Sequence, residues 1–294
     1  MSNNHSKFRR RVFGSSLVVL IALDAAASGC SASADNDEVE NELRVARLTQ
    51  TAADAATPAL LAATFGIDDV SGLPCKGGAP LDGVPVVFST TLRQSGVQPS
   101  DFEIVRKDGT RVTPQCATFF PATDADEART ILLLGSFGSG TKDDLFKVNI
   151  VGSIPSADGQ ADFKGLSVGV VPYAQGQHLV YARRQTLSGN VGGSDQCPTQ
   201  AGGKTIQQVI QLSFGSNAGN SFPTDTSYLA RFNVKLSDGT VAHPIAFGDT
   251  TIDNYLELCI AQTSAATSVS IEPQTVADAS GQLNGEVLSR TLEN

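Results

Sequence analysis

The chain has 294 residues, 40% hydrophobic and only 17% charged, with 30 acidic against 21 basic side chains and a formal net charge of −9. That length suffices for about two domains, each able to bury its own core. The acidic balance excludes a nucleic-acid binder, which needs basic patches to neutralise phosphate, and the 28 glycines lean towards β structure.

Targeting comes first along the chain. Lys7, Arg9, Arg10 and Arg11 form a basic region ahead of Val12–Leu23, an apolar run too short to span a bilayer but right for a secretory signal. Ala26-Ala27-Ser28-Gly29-Cys30 follows. Small residues ahead of a cysteine resemble the lipobox of bacterial lipoproteins, although Ala27 stands where leucine is usual and Asp24 falls late in the apolar run. The resemblance implies that residues 1–29 are removed as a signal peptide. It also implies that Cys30 is lipidated and that the exported protein is anchored in the cell envelope, on the periplasmic or outer side. Arg10-Arg11-Val12-Phe13 further resembles the core of a twin-arginine signal, with Arg9 where Ser or Thr is expected. Several acyl chains anchor firmly where a single one is marginal. Cleavage removes four basic residues and one acidic residue, leaving 17 and 29 and a formal charge of −12. Anionic lipid therefore gives no electrostatic help, and the membrane anchor must be covalent.

With Cys30 lipidated, four of the five cysteines remain: Cys75, Cys116, Cys197 and Cys259. An even number in an exported chain reads as disulfides. Three pairings are open. Cys75–Cys116 with Cys197–Cys259 is preferred, because each pair then stays within one half of an internal repeat. No C-x-x-C spacing exists to suggest zinc.

Residues 30–59 read as an acidic tether. The repeat lies beyond it. Asp101–Pro114 (DFEIVRKDGTRVTP) is matched 130 positions later by Arg231–Pro244 (RFNVKLSDGTVAHP) without a gap. Phe102 aligns with Phe232, Ile104 with Val234, Asp108-Gly109-Thr110 with Asp238-Gly239-Thr240, and Pro114 with Pro244. Each copy predicts a hairpin, with Asp-Gly in a type I′ turn. Around the first copy, Val84–Phe88 predicts a strand in which Pro85 suits a sheet edge or the start of the strand. Thr130–Leu134 is too continuously apolar to face water, and Leu145–Val151 alternates. Leu166–Val171 and Leu179–Ala182 add two strands. The second half keeps the order with Ile206–Phe214, the hairpin, Tyr255–Ile260 and Ser268–Ile271. The expected fold is therefore all-β, with two antiparallel β-sandwich domains in tandem at 60–187 and 205–294. A Gly/Ser-rich linker, 188–204, joins them. The pattern VVFS, SDF-x-V, DG-x-x-V-x-P, apolar run resembles bacterial immunoglobulin-like modules of exported and surface proteins over residues 84–151, and more weakly over 206–271. That resemblance implies spacers, adhesion modules or binding modules. The absence of tryptophan departs from antibody-type domains.

Signals for chemistry are sparse. Gly165-Leu166-Ser167-Val168-Gly169 matches the nucleophile-elbow pattern, which needs a strand before Ser167 and a helix after it. Here the alternation runs straight through to Pro172, so a strand is expected instead. His178 and His243 are candidate bases, each flanked by strand-like runs. Acidic loop residues are the better polar clusters: Asp124-Ala125-Asp126-Glu127, Asp143-Asp144, Asp158 and Asp162, and the pair Asp249 and Asp253. None matches an EF-hand. Calcium is the cation such oxygen donors would take, and Asp249 and Asp253 are favoured because a buried-type strand follows them. The leading expectation is a non-enzymatic envelope lipoprotein serving an unknown protein or small-molecule partner as an interaction or scaffold module. The alternatives are a secreted enzyme or biosynthetic accessory protein with a pocket between its β domains, and a calcium-stabilised ligand-binding module.

Overall fold

Two kinds of strand follow from the residue pattern. Leu145–Ile150 and Ala266–Ile271 share one burial alternation, buried at their first, fourth and sixth residues, as half-exposed strands require. Thr130–Gly135 and Tyr255–Ile260 are buried along their whole length, as strands covered on both faces must be. The structure, a computed structural model, describes residues 57–70, 81–138, 144–172, 176–193, 196–215, 225–249, 253–278 and 281–293. The signal, Cys30, the tether up to residue 56, Cys75 and Asp143 lie outside them.

The first half contributes β1 (Leu60–Phe65), β2 (Ile67–Val70), β3 (Leu81–Phe88), β4 (Phe102–Arg106), β5 (Arg111–Val112), β6 (Cys116–Thr118), β7 (Thr130–Gly135), β8 (Leu145–Ile150) and β9 (Ser167–Pro172). The second contributes β10 (Leu179–Gln185), β11 (Gln200–Ala201), β12 (Lys204–Thr205), β13 (Gln208–Phe214), β14 (Phe232–Leu236), β15 (Val241–Ala242), β16 (Ala246–Gly248), β17 (Tyr255–Ile260), β18 (Ala266–Ile271) and β19 (Leu288–Thr291). Among the described residues, strands hold 48% and helices 4%, so this part of the protein is nearly all β.

The second half is built of two four-stranded sheets, β10-β13-β17-β16 and β15-β14-β18-β19, and a two-stranded ladder, β11-β12. A core that includes Leu212, Phe214, Phe232, Leu256 and Ile271 lies between them. The first half departs from the expected two-sheet sandwich. It is one nine-stranded sheet, β5-β4-β8-β9-β1-β3-β7-β6 with β2 on β3, a mixed half-barrel in which β1 and β9 pair in parallel. Divided at that joint, the sheet yields β5-β4-β8-β9 and β1-β3-β7-β6, the same two orders as in the second half. The corresponding joint there is a single parallel bridge between Arg183 and Glu293. The sequence repeat is thus a repeat of topology. Phe65, Phe88, Phe102, Ile131 and Val148 fill the first core.

Two local expectations are corrected. β3 is an interior strand, flanked by β1 and β2 on one side and β7 on the other. Pro85 is tolerated because it falls between the pairings Ala63–Val86 and Ile67–Gly83, where the backbone breaks between β1 and β2 and no ladder donor is needed. The hairpin turns are also not type I′. Gly109 and Gly239 have φ of +85° and +86°, but neither Asp108 nor Asp238 has positive φ. Arg106 N donates to Thr110 O and Gly109 N to Arg106 O, with Leu236, Thr240 and Gly239 repeating the arrangement. This is a three-residue loop ending in a left-handed glycine bulge. The aspartates cap it, since Thr110 N and Thr240 N donate to Asp108 Oδ1 and Asp238 Oδ1 at 2.8 and 2.9 Å. A Cβ on Gly239 would meet nothing within 4 Å, so Gly239→Ala tests conformation alone. The expected loss is about 1–2 kcal/mol, read from the urea midpoint.

Candidate metal centre

The loops that lead into β7 and β17 are equivalent in the repeat, and they converge. The loop before β7 turns tightly at Glu127, whose amide donates to Asp124 O at 3.0 Å. Asp124 N donates back to Glu127 Oε2 at 3.3 Å. The loop between β16 and β17 begins at Asp249, which adopts φ of +40°. It ends at Asp253, whose Oδ1 accepts the Tyr255 amide at 2.7 Å.

Three residues then hold the loops together. The buried Tyr255 hydroxyl donates to Glu127 O at 2.9 Å and lies 2.8 Å from Thr130 Oγ1. Asn254 Nδ2 reaches Thr130 Oγ1 at 3.1 Å and Phe214 O at 2.9 Å. Asp126 accepts from Arg183 and Gln211 at 3.2 and 3.0 Å, and also from Gln185. Tyr255→Phe removes the hydroxyl and leaves buried partners at Glu127 and Thr130. The expected cost is about 1–3 kcal/mol, measured by urea unfolding.

One carboxylate oxygen from each of Glu127, Asp249 and Asp253 lies within 4.8 Å of the others. The three residues are only 3%, 7% and 2% exposed. A fourth acid, Glu257, projects from β17 beside them. It is 3% exposed, its Oε2 has no hydrogen-bond partner, and that atom packs against Gly248, the residue before Asp249. Burial, the bond with Asp249 and the charges of Asp253 and Asp249 push the Glu127 carboxyl up to about 11. Burial, with the charges of Asp249 and Asp126, pushes Glu257 up to about 8. Like charges this close and this dry cannot all persist uncompensated. They require protons or a cation. The donors are all oxygen, which suits a hard cation, calcium above all, because calcium accepts irregular carboxylate geometry.

Sequence reasoning singled out Asp249 and Asp253, and the structure brings them together. It missed Glu127 as their third member, although Glu127 stands before β7 as Asp253 stands before β17. The other candidates are scattered. Ser167 is exposed on β9, which continues as strand to Pro172. His178 lines a cleft with Gln282 and Asn284, and its carbonyl accepts Gly215 N at 2.8 Å. His243 is exposed, with Nδ1 3.0 Å from Phe232 O. Asp158 and Asp162 cap their own loop through Ser156 and Ser153. Cys197 and Cys259 form a disulfide with Cα atoms 5.6 Å apart. Cys116 is disulfide-bonded too. No family model matches this chain, and no curated protein is significantly similar to it.

Proposed function

We propose that the protein is a calcium-stabilised, non-enzymatic β module of the cell envelope, exported and held to the membrane by lipid on Cys30. Its two halves are read as diverged immunoglobulin-like units, supported by the shared strand orders of the two halves. Its role is that of an interaction or scaffold module whose halves are locked in one arrangement across a cation. The convergence of Glu127 from the first half with Asp249 and Asp253 from the second carries this reading. A cation at that point would join the two halves as Tyr255 and Asn254 already do.

Thermal melting with calcium and with a chelator tests it. A ligand present at about a hundred times its Kd stabilises by about 2.7 kcal/mol, which for a unit of this size is a rise in Tm of roughly 5–10 °C. Asp253→Asn is expected to remove most of that rise. A Tm indifferent to calcium and chelator would overturn the cation reading. An intact mass beginning elsewhere than at Cys30, without acyl chains, would overturn the anchor.

A further inference from the structure

The loop that carries Glu127 also carries Asp126 and Arg129, and these two line a cleft of about 670 Å³. That volume lies within the range of small-molecule sites. Arg129 is only 3% exposed. Its guanidinium carbon lies 3.7 Å from the centroid of the Tyr181 ring. Nη1 donates to Ser89 O at 3.2 Å, and Nε has no hydrogen-bond partner. Among the described residues no carboxylate pairs with it. Arg183, which lines the same cleft, is the contrast. Its Nε donates to Gln211, and its Nη2 reaches both the carbonyl and the carboxylate of Asp126.

A buried cation is ordinarily paired, because desolvation without a counter-charge is costly. Arg129 instead has neutral partners, Ser89 and Tyr181, and holds its planar donor fork, stacked on the Tyr181 ring, in the wall of a small-molecule-sized cleft. Such a fork matches a carboxylate in two-point contact. The nearby lining is rich in hydroxyl and amide groups, from Ser89, Thr90, Thr91 and Asn190, which suits a ligand with several hydroxyls. Asp158 and Asp162 also line the cleft. Their oxygens already accept bonds from their own loop, and their charge disfavours a ligand with a second negative group.

We infer that this cleft binds a sugar-sized, hydroxyl-rich monocarboxylate, a sugar acid, with Arg129 holding the carboxylate. The inference does not rest on the cation centre, since Arg129 is not among its carboxylates. Keeping calcium present throughout separates the two tests.

The experiment is calorimetric titration of D-glucuronate into the full chain, with D-glucose and acetate as controls at equal ionic strength. Saturable glucuronate binding is expected, at least about tenfold tighter than either control. Arg129→Gln is expected to weaken it roughly ten- to hundredfold, the range of a charged hydrogen-bond pair. Arg129→Lys, which keeps the charge and loses the fork, is expected to fall between. A melting curve shows whether Arg129→Gln folds. If it does not, the Tyr181 ring resonances of the unaltered protein decide, by shifting with glucuronate and not with glucose. The inference is overturned by absence of saturable glucuronate binding, by equal affinity for glucose or acetate, by unchanged affinity in folded Arg129→Gln, or by a Tyr181 ring that does not respond.

Discussion

In the presence of a chelator, the protein is expected to lose stability as the pH rises from the ordinary glutamate value of 4.5 through about 8, and added calcium is expected to restore it. The sign follows from Glu257. Its carboxyl is raised in the folded state by burial and by the charges of Asp249 and Asp126, so the folded protein binds this proton more tightly than the unfolded chain. The contribution is fully present below the unfolded value and is lost as pH rises through the folded one. The gap between 4.5 and about 8 corresponds to a loss on the order of 5 kcal/mol. Glu127, pushed up to about 11, acts in the same direction and extends the decline. A cation replaces the protons, so calcium should stabilise more strongly at high pH than at low pH. Urea midpoints at about pH 5, 7 and 9, with chelator and with calcium, measure both effects. Glu257→Gln, neutral and close to isosteric, should remove its own share of the decline below about pH 8 and leave the share due to Glu127. A chelated protein whose stability stays level or rises over this range would contradict the electrostatic reading of the cluster.

Replacing Cys197 and Cys259 by alanine is the second large expected loss. The bridge spans 62 positions, and a loop of that length stabilises by about 4 kcal/mol on the chain-entropy model. Its position adds a local effect. Cys259 lies on β17 with Tyr255 and Glu257. The Cys197 amide lies close against Gly248, only 2.5 Å from where a Cβ would stand, and a backbone bond from Cys197 favours the charged form of Glu257. Cys197 and Cys259 also pack with Ile206 and Val209 in a small cluster of their own. The double variant should therefore lose roughly 8–16 °C in Tm and also bind calcium less tightly. Unfolding in urea and a calcium titration check the two halves of this expectation. A loss below about 1 kcal/mol would show that the 188–204 segment holds its place without the bridge.

Much of this architecture is legible in the residues because it is local or repeated. The hairpin copies at 101–114 and 231–244 share register as well as sequence, with Ile104 opposite Val112 and Val234 opposite Ala242. The continuous apolar run at β7 announces a strand buried on both faces, and the repeat carries that reading to β17 despite Glu257, although neither run says what covers the second face. Polar side chains do: Arg183, Gln211, Glu257 and Tyr255 project from the second half towards Asp126, Glu127 and Thr130. Those contacts join residues as far apart as 128 positions, and no periodicity encodes them. Glu127 was legible only as one acid in an acidic run. Its role depends on where the equivalent loop of the other half lands. The parallel β1–β9 joint was equally hidden, since pairing in parallel depends on which distant strand is adjacent. Pro85 misled because proline in a strand usually marks an edge, and here it marks a gap between two partners.

Calorimetric titration of calcium into the chelator-treated full chain decides whether the buried carboxylates hold a cation. A single saturable site is expected, lost in Glu127→Gln and in Asp253→Asn, two variants from opposite halves of the repeat, while both still melt cooperatively. Calcium binding that survives both substitutions, or no calcium binding by the unaltered chain, would contradict the cation reading.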